Sequence, residues 1–384
     1  MSETTSISPF RVEISDHELA DLRRRLHDAR FPAPLPGDDW STGVPVAYLQ
    51  KLASKWESFD WAAYQDRLND VPQFTTVIDD QVIHFVHVRS GVPGAVPLLL
   101  THGWPGSFLE FVDVIGPLTN PAAHGGDASD AFDVVIPSLP GFGFSTPLSS
   151  AGWTTQRIAE IWVELMDRLG YDRFATQGGD LGAGVAPEVA RIAPERVIGV
   201  HVNGTLGFVP EVDDETAASL TDLERDRMRR VGEFMQNEFG YIAIQGTRPG
   251  LVGEMLADSP VAQLAWIVDK FRAWTHPLEA APEDVVGLDF LLANASLYWF
   301  AASAGSAAYV GYAQNEQWGE EPTRSGVPTA VICFAHDIGI RRFVEDAHNI
   351  TRWTDVEDRG GHFAALEEPG TLIDDVREFL RGLR

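Results

Sequence analysis

Cysteine and lysine are nearly missing from this chain of 384 residues. The single cysteine, Cys333, rules out an intrachain disulfide, and its place inside an apolar strand-like run marks it as a buried thiol. Lysine occurs only at 51, 55 and 270, arginine making up the rest of 29 basic residues, a skew that points to a GC-rich bacterial source. Acidic residues number 56, and the formal charge of −27 excludes the positive field that nucleic acid or an anionic membrane surface requires. The acidic surface reads as a device for solubility, and the Arg23-Arg24-Arg25 triplet, set in a helical pattern, as a solvated face. No apolar run approaches the roughly 18–20 residues of a membrane span, and Met1 to Phe10 carry no apolar core of signal-peptide length. A soluble, cytoplasmic protein with neither membrane nor nucleic-acid partner is expected. Metal-ligand spacings are also missing: there is no HExxH-type or Cys/His pattern, and His84 and His87, three apart on a strand, face opposite sides. No metal is expected.

What is present is a 44% hydrophobic chain, enough for a sizeable core, with an ordered change of period along it. Ser15 to Glu18 spell a capping box, followed by Leu19, Leu22, Leu26 and Ala29 at helical spacing, and Pro32, Pro34 and Pro36 end that helix. Further helical patterns carry Leu49, Leu52 and Trp56, then Trp61 to Leu68. Residues 1–73 therefore read as an N-terminal helical arm that packs on the core. From Phe74 the period becomes that of strands: Phe74 to Ile78 and Val82 to Val88 as a hairpin over Asp79-Asp80-Gln81, then Val96 to Leu100, Phe132 to Ile136, Phe174 to Thr176 and Val197 to Val202. A helix over Trp153 to Leu169 is opened by Thr154 and Thr155. Strands alternating with helices predict an α/β fold with a mostly parallel central sheet. The alternation stops near Gly204, and residues 205–321 read as an inserted helical lid between the core segments 74–204 and 322–384. In the second segment, strands over Thr329 to Phe334 and Ile350 to Val356 and a helix over Thr371 to Leu383 complete the pattern.

The chemistry concentrates in four stretches. Gly178-Gly179-Asp180-Leu181-Gly182 follows a strand and opens a helix, the setting of a nucleophile elbow, with a carboxylate where other elbows carry a hydroxyl. Thr101-His102-Gly103-Trp104-Pro105-Gly106 follows a buried strand, and the amide of Trp104 can join that of Leu181 in an oxyanion hole. Gly360-Gly361-His362-Phe363 puts a histidine on a glycine-flanked loop after the last strand. Asp337 ends the preceding strand, 25 residues before His362, and is placed to orient its imidazole. Glu345, Asp346 and Asp355 compete for that role but end no strand so cleanly. Nucleophile, acid and histidine thus occur in the chain order of an α/β-hydrolase. The aromatics of Pro140-Gly141-Phe142-Gly143-Phe144-Ser145, together with Trp104, suggest pocket lining.

HGWPGS (102–107), PGFGFS (140–145), GGDLG (178–182) and RGGHFAALEEP (359–369) together resemble the epoxide hydrolases of the microsomal type, α/β-hydrolases with an N-terminal arm. The resemblance covers nearly the whole chain, except that no N-terminal anchor matches that of the membrane-bound members. It implies an enzyme that opens an epoxide to a vicinal diol through an ester on Asp180, hydrolysed by water that His362 activates; the aromatics Trp104, Phe142 and Phe144 suggest that the epoxide is apolar, with a bulky one left open. No cofactor is implied; the partner is the small-molecule epoxide, and a homodimer stays open as an assembly. It further implies two lid tyrosines that activate the epoxide oxygen. Gly240 to Gln245 matches the first, at Tyr241. For the second, Tyr298-Trp299 and Tyr312-Ala313-Gln314-Asn315 approach the family pattern, but Gly311 stands at the strict position; Tyr312 and then Tyr309 are the candidates, three apart on a helix. Leu181, where many members carry tryptophan, is a second departure. A dehalogenase with the same aspartate and a non-catalytic ligand-binding homologue are the competing readings.

Overall fold

In the computed structural model, which describes residues 6–37, 39–207, 209–210, 212–317 and 324–384, the described strands form one sheet. They are β1 (Ser8–Phe10), β2 (Gln73–Ile78), β3 (Gln81–Val88), β4 (Val96–Thr101), β5 (Phe132–Pro137), β6 (Phe174–Gly178), β7 (Val197–Asn203), β8 (Pro328–Cys333) and β9 (Asn349–Asp355). Their spatial order is β1-β2-β3-β5-β4-β6-β7-β8-β9, antiparallel from β1 to β5 and parallel from β5 to β9. The hairpin β2–β3 turns on Asp79 and Asp80, both at positive φ, as a two-residue turn of the primed type requires.

From β4 the chain steps to β5 on one side and later to β6 on the other. That reversal opens a crevice at the carboxyl ends of β4 and β6, where open α/β sheets bind their ligands. The central strands read as continuous apolar runs because both faces are covered; Leu98, Leu99, Val134, Val135, Ala175 and Val200 are fully buried. Helix Thr155–Arg168, capped by Thr154, buries Ile158, Ile161, Trp162 and Leu165 along one stripe and packs with Leu181–Ile192.

The segment read as a lid, termed the cap, is filled by helices between Asp214 and Ala313, and the boundary read at 321 lies outside the described residues. The arm differs from its sequence reading in two ways. Its β1, too short to show a period, extends the core sheet beside β2. Its helices lie against the cap as well: Val46–Glu57 packs on Pro260–Trp274, and the Trp56 indole donates to Ser296 Oγ at 2.7 Å in the cap helix Leu288–Phe300.

Candidate active site

β6 ends at Gly178, and the chain reverses within two residues to begin helix Leu181–Ile192. Asp180 carries the turn at φ 55° and ψ −123°, a conformation that L-residues avoid and that surrounding structure must enforce. The glycines around it are required by contact. A Cβ on Gly178 would strike the Gly182 carbonyl, one on Gly182 the Thr101 carbonyl, and one on Gly103 the Asp180 carboxyl itself. The elbow of β6 is thus fitted backbone to backbone against the end of β4.

From β4 the chain enters the loop 102–107, whose shape His102 fixes. Its buried ring lies 3.1 Å from the Gly103 carbonyl and accepts from the Leu139 amide at 3.1 Å, tying together the loops after β4 and β5. Burial lowers its pKa to about 4 and keeps the ring neutral. The Trp104 amide then donates to Asp180 Oδ1 at 2.8 Å, and the Leu181 amide also donates to this carboxylate. Asp180 Oδ2 lies 3.4 Å from His362 Nε2. The two carboxylate oxygens therefore have different surroundings: Oδ1 sits on the Trp104 amide, and Oδ2 faces the imidazole.

His362 is held by its own loop and by the cap. Its amide donates to the Trp274 carbonyl at 3.0 Å, while Glu367 accepts from the amides of Phe363 (2.9 Å) and His276 (2.8 Å). Burial acts to lower the His362 pKa, but Asp180, Asp337 and Glu110 outweigh it and raise the pKa above the ordinary imidazole range. The Asp180 carboxyl sits below its ordinary range because His362 and the two amides outweigh its burial. Asp337, buried just past β8, accepts from the Phe334 amide at 2.7 Å and reaches His362 through its charge. Burial pushes its pKa up to about 6 against that amide and the positive charges of His362, Arg227 and Arg230. Two competing acids are engaged elsewhere, Asp355 with Arg227 at 2.7 Å and Glu345 with Arg341 at 3.2 Å.

The cavity over Asp180 is walled by Trp104, Phe111, Phe363, Ala364 and Ala365 beside Glu110, Asn203 and His362. Tyr241, in the cap helix Gly240–Gln245, stacks on the Trp104 ring with centroids 4.7 Å apart and planes 13° apart. Burial and the charges of Asp180 and Glu238 raise its phenol well above the ordinary value. The structure thus brings Asp180, His362, Asp337, Trp104, Leu181 and Tyr241 together.

Other sequence candidates are placed differently. Tyr309 and Tyr312 share a face of helix Ala304–Ala313 but stack on each other at 5.7 Å; Tyr312 is 40% exposed, and neither lines the cavity. Gly311, between them, faces Gln245 of the helix that carries Tyr241. Phe142 and Phe144 do not line the cavity either: Phe142 packs on His102 and Tyr298, and Phe144 on Phe10, His84 and Phe108. Phe142 lies in the core beneath the loops and Phe144 packs against it, with Gly143 between them at positive φ.

Sequence reading passed over Glu110, Asn294 and Tyr298. The Tyr298 phenol donates to the Gly106 carbonyl at 2.9 Å, Asn294 Nδ2 to the Pro105 carbonyl at 2.8 Å, and Ser107 Oγ to Asn294 Oδ1 at 2.8 Å. A signal for Glu110 existed: Ser107 and Glu110 have capping-box spacing.

The sheet order, the switch-point crevice and the strained elbow define an α/β-hydrolase, and residues 96–282 match the family described as alpha/beta hydrolase fold. Residues 7–111 match the family described as Epoxide hydrolase N terminus. The chain is 41% identical to a relative from Stigmatella aurantiaca, itself assigned as an epoxide hydrolase, over 98% of this chain and 86% of that protein. It is 35% identical to Epoxide hydrolase 1 of Oryctolagus cuniculus, over 98% and 89% respectively. The crystal structure of juvenile hormone epoxide hydrolase from the silkworm Bombyx mori superposes with a TM-score of 0.87 at 31% identity, covering 100% of this chain and 96% of that one. The chain belongs to the epoxide hydrolase family.

Proposed function

We propose that this protein hydrolyses an apolar epoxide to a vicinal diol by way of an ester on Asp180. The observation that carries the reading is the unequal setting of the two Asp180 oxygens, Oδ1 on the Trp104 amide and Oδ2 open toward His362. Oδ2 attacks an epoxide carbon and the ring C–O bond breaks. Tyr241 hydrogen-bonds the leaving oxygen and gives it a proton; its phenol suits the task because burial and nearby negative charge keep it protonated. Oδ1 becomes the ester carbonyl oxygen, already seated on the Trp104 amide, and that amide with the one from Leu181 stabilises negative charge when water adds.

Water then gives a proton to His362 and attacks Cγ of the ester, and the imidazolium is stabilised by Asp337. Collapse of the tetrahedral intermediate breaks the Cγ–Oδ2 bond; the alkyl oxygen takes the proton held by His362 as the diol leaves, and the hydroxyl proton left on the Asp180 carboxyl returns to the Tyr241 phenolate. A carboxylate fits this sequence because its alkyl ester is open to water, whereas a serine ether would not be. The aromatic and methyl walls of the cavity support an apolar substrate, and a bulky one is the finer reading. Tyr309 and Tyr312 are given no part, since their rings stack on each other and Tyr312 is exposed, whereas Tyr241 stacks on Trp104 beside Asp180. An intracellular, soluble setting, with the small-molecule epoxide as partner, completes the proposal.

The test is turnover of styrene-type and aliphatic epoxides by wild type and Asp180→Asn, with intact mass after rapid mixing. Diol formation with a transient adduct on Asp180 is expected for wild type, and a loss of at least about 1,000-fold for the asparagine variant. Equal activity of the two proteins would overturn the reading.

A further inference from the structure

The steps above leave one acid of the cavity without a task. Glu110 sits in the 3-10 turn Phe108–Phe111 and walls the same cavity as Asp180 and His362. Its carboxyl accepts from the Ser107 amide and rests on Gly106 so closely that a Cβ there would overlap Oε1. The loop is thus built with glycine at 106 to seat a carboxyl at 110. The titratable groups that face it are Asp180, His362 and, from the cap, the Tyr298 phenol. Burial, with Asp180 adding to it, raises its pKa to about 8 against the pull of His362 and the Ser107 amide, so at neutral pH it holds its proton.

A water aimed at an ester carbonyl needs both of its hydrogens directed, and His362 takes one. We propose that Glu110 takes the other: its carboxyl accepts a hydrogen bond from the hydrolytic water and so points the water oxygen at Cγ of the Asp180 ester. The proposal rests on Asp180 being the esterified nucleophile. One water proton passes to His362, the water oxygen bonds to Cγ, and the second proton stays on that oxygen in the bond to Glu110. A neutral carboxyl serves this geometry without placing a second negative charge beside the developing oxyanion. Glu110 therefore acts in ester hydrolysis and not in ester formation.

The two half-reactions separate the roles. Styrene oxide is mixed rapidly with each protein, and the Asp180 adduct is followed by intact mass. Glu110→Gln, whose amide oxygen still accepts, is expected to hydrolyse its ester within about threefold of wild type. Glu110→Ala is expected to form the adduct at the wild-type rate but lose it about 10–100-fold more slowly, so that ester accumulates. Glu110→Met, which fills the space with no acceptor, gives the same split and serves if the alanine protein fails to fold. Unchanged ester decay in these variants, or ester formation slowed to the same extent as decay, would overturn the role of Glu110. His362→Gln is the companion trap: if it forms no Asp180 adduct, the ester itself is lost and this inference with it.

Discussion

At the scale of single residues, the site is made by giving chemically ordinary groups unequal neighbours. Asp180 holds a positive φ that the Gly178, Gly182 and Gly103 contacts permit, and this bares its carboxyl between two amides and an imidazole. Tyr241 is a phenol set behind a tryptophan, with Lys270 Nζ 5.2 Å from its ring centroid and itself paired to Glu238 at 2.6 Å. If Tyr241 is the proton donor to the ring oxygen, Tyr241→Phe slows ester formation about 100-fold and leaves decay of preformed ester near wild type. Tyr312→Phe and Tyr309→Phe leave both half-reactions within about twofold, because those rings stack on each other away from the cavity. Stopped-flow tryptophan fluorescence with rapid-quench mass spectrometry checks all three. A Tyr312→Phe protein as slow as Tyr241→Phe would return Tyr312 to the mechanism.

At the scale of elements, the loop 102–107 is fixed from above by a cap helix. Helix Leu288–Phe300 sends Asn294 and Tyr298 onto the carbonyls of Pro105 and Gly106, with Ser107 closing the set. These bonds fix the peptide units that follow the Trp104 amide, and under the proposed mechanism the cap would bear on catalysis through backbone placement. The same helix receives the Trp56 indole from the arm. Asn294→Ala leaves the buried Pro105 carbonyl without its donor and the Ser107 hydroxyl without its acceptor, at a cost of about 2–4 kcal/mol in unfolding free energy. The expected signature is lower stability in urea denaturation together with a fall in kcat larger than any change in KM. Loss of stability with kcat intact would mean that the loop holds its shape without the cap.

At the scale of the molecule, opposed sets of buried titratable groups determine how stability responds to pH. His84 is held down to about 3, and His87, His102 and His336 to about 4, chiefly by burial. The unfolded chain protonates these histidines below about 6.5 and the folded chain does not, so their contribution is lost as pH falls from about 6.5 toward 4. Burial raises Asp337 to about 6, Glu367 to about 7 and Glu110 to about 8. The unfolded chain releases these protons above about 4 and the folded chain only at those higher values, so their contribution is lost as pH rises from about 4 to about 8. The two slopes cancel between about pH 6 and 7, where stability is expected to peak. Thermal unfolding across pH 4 to 9 measures the curve, and Glu367→Gln flattens its alkaline side. Stability still rising from pH 7 to 9 would refute the assignment of those acids as buried and protonated.

Much was legible in the sequence because it is carried by local periodicity and by residues whose spacing is itself the geometry. The strand periods, the Ser15 capping box, the elbow spelled Gly178 to Gly182 and the order Asp180, Asp337, His362 all belong to this kind. The strand β1 was not legible, since three residues show no period and its pairing with β2 spans more than sixty positions. The roles of Glu110, Asn294 and Tyr298 likewise depend on contacts between distant segments, as does the turning of Tyr309 and Tyr312 away from the cavity. Phe142 and Phe144 look like pocket walls in any list of aromatics, and packing alone puts Phe142 in the core and Phe144 against it. By itself the sequence determined that an aspartate stands at an elbow and that a histidine and an acid follow it. Tertiary structure decided which of the aspartate's two oxygens meets the histidine, because that depends on how the ends of β4 and β6 are fitted to one another.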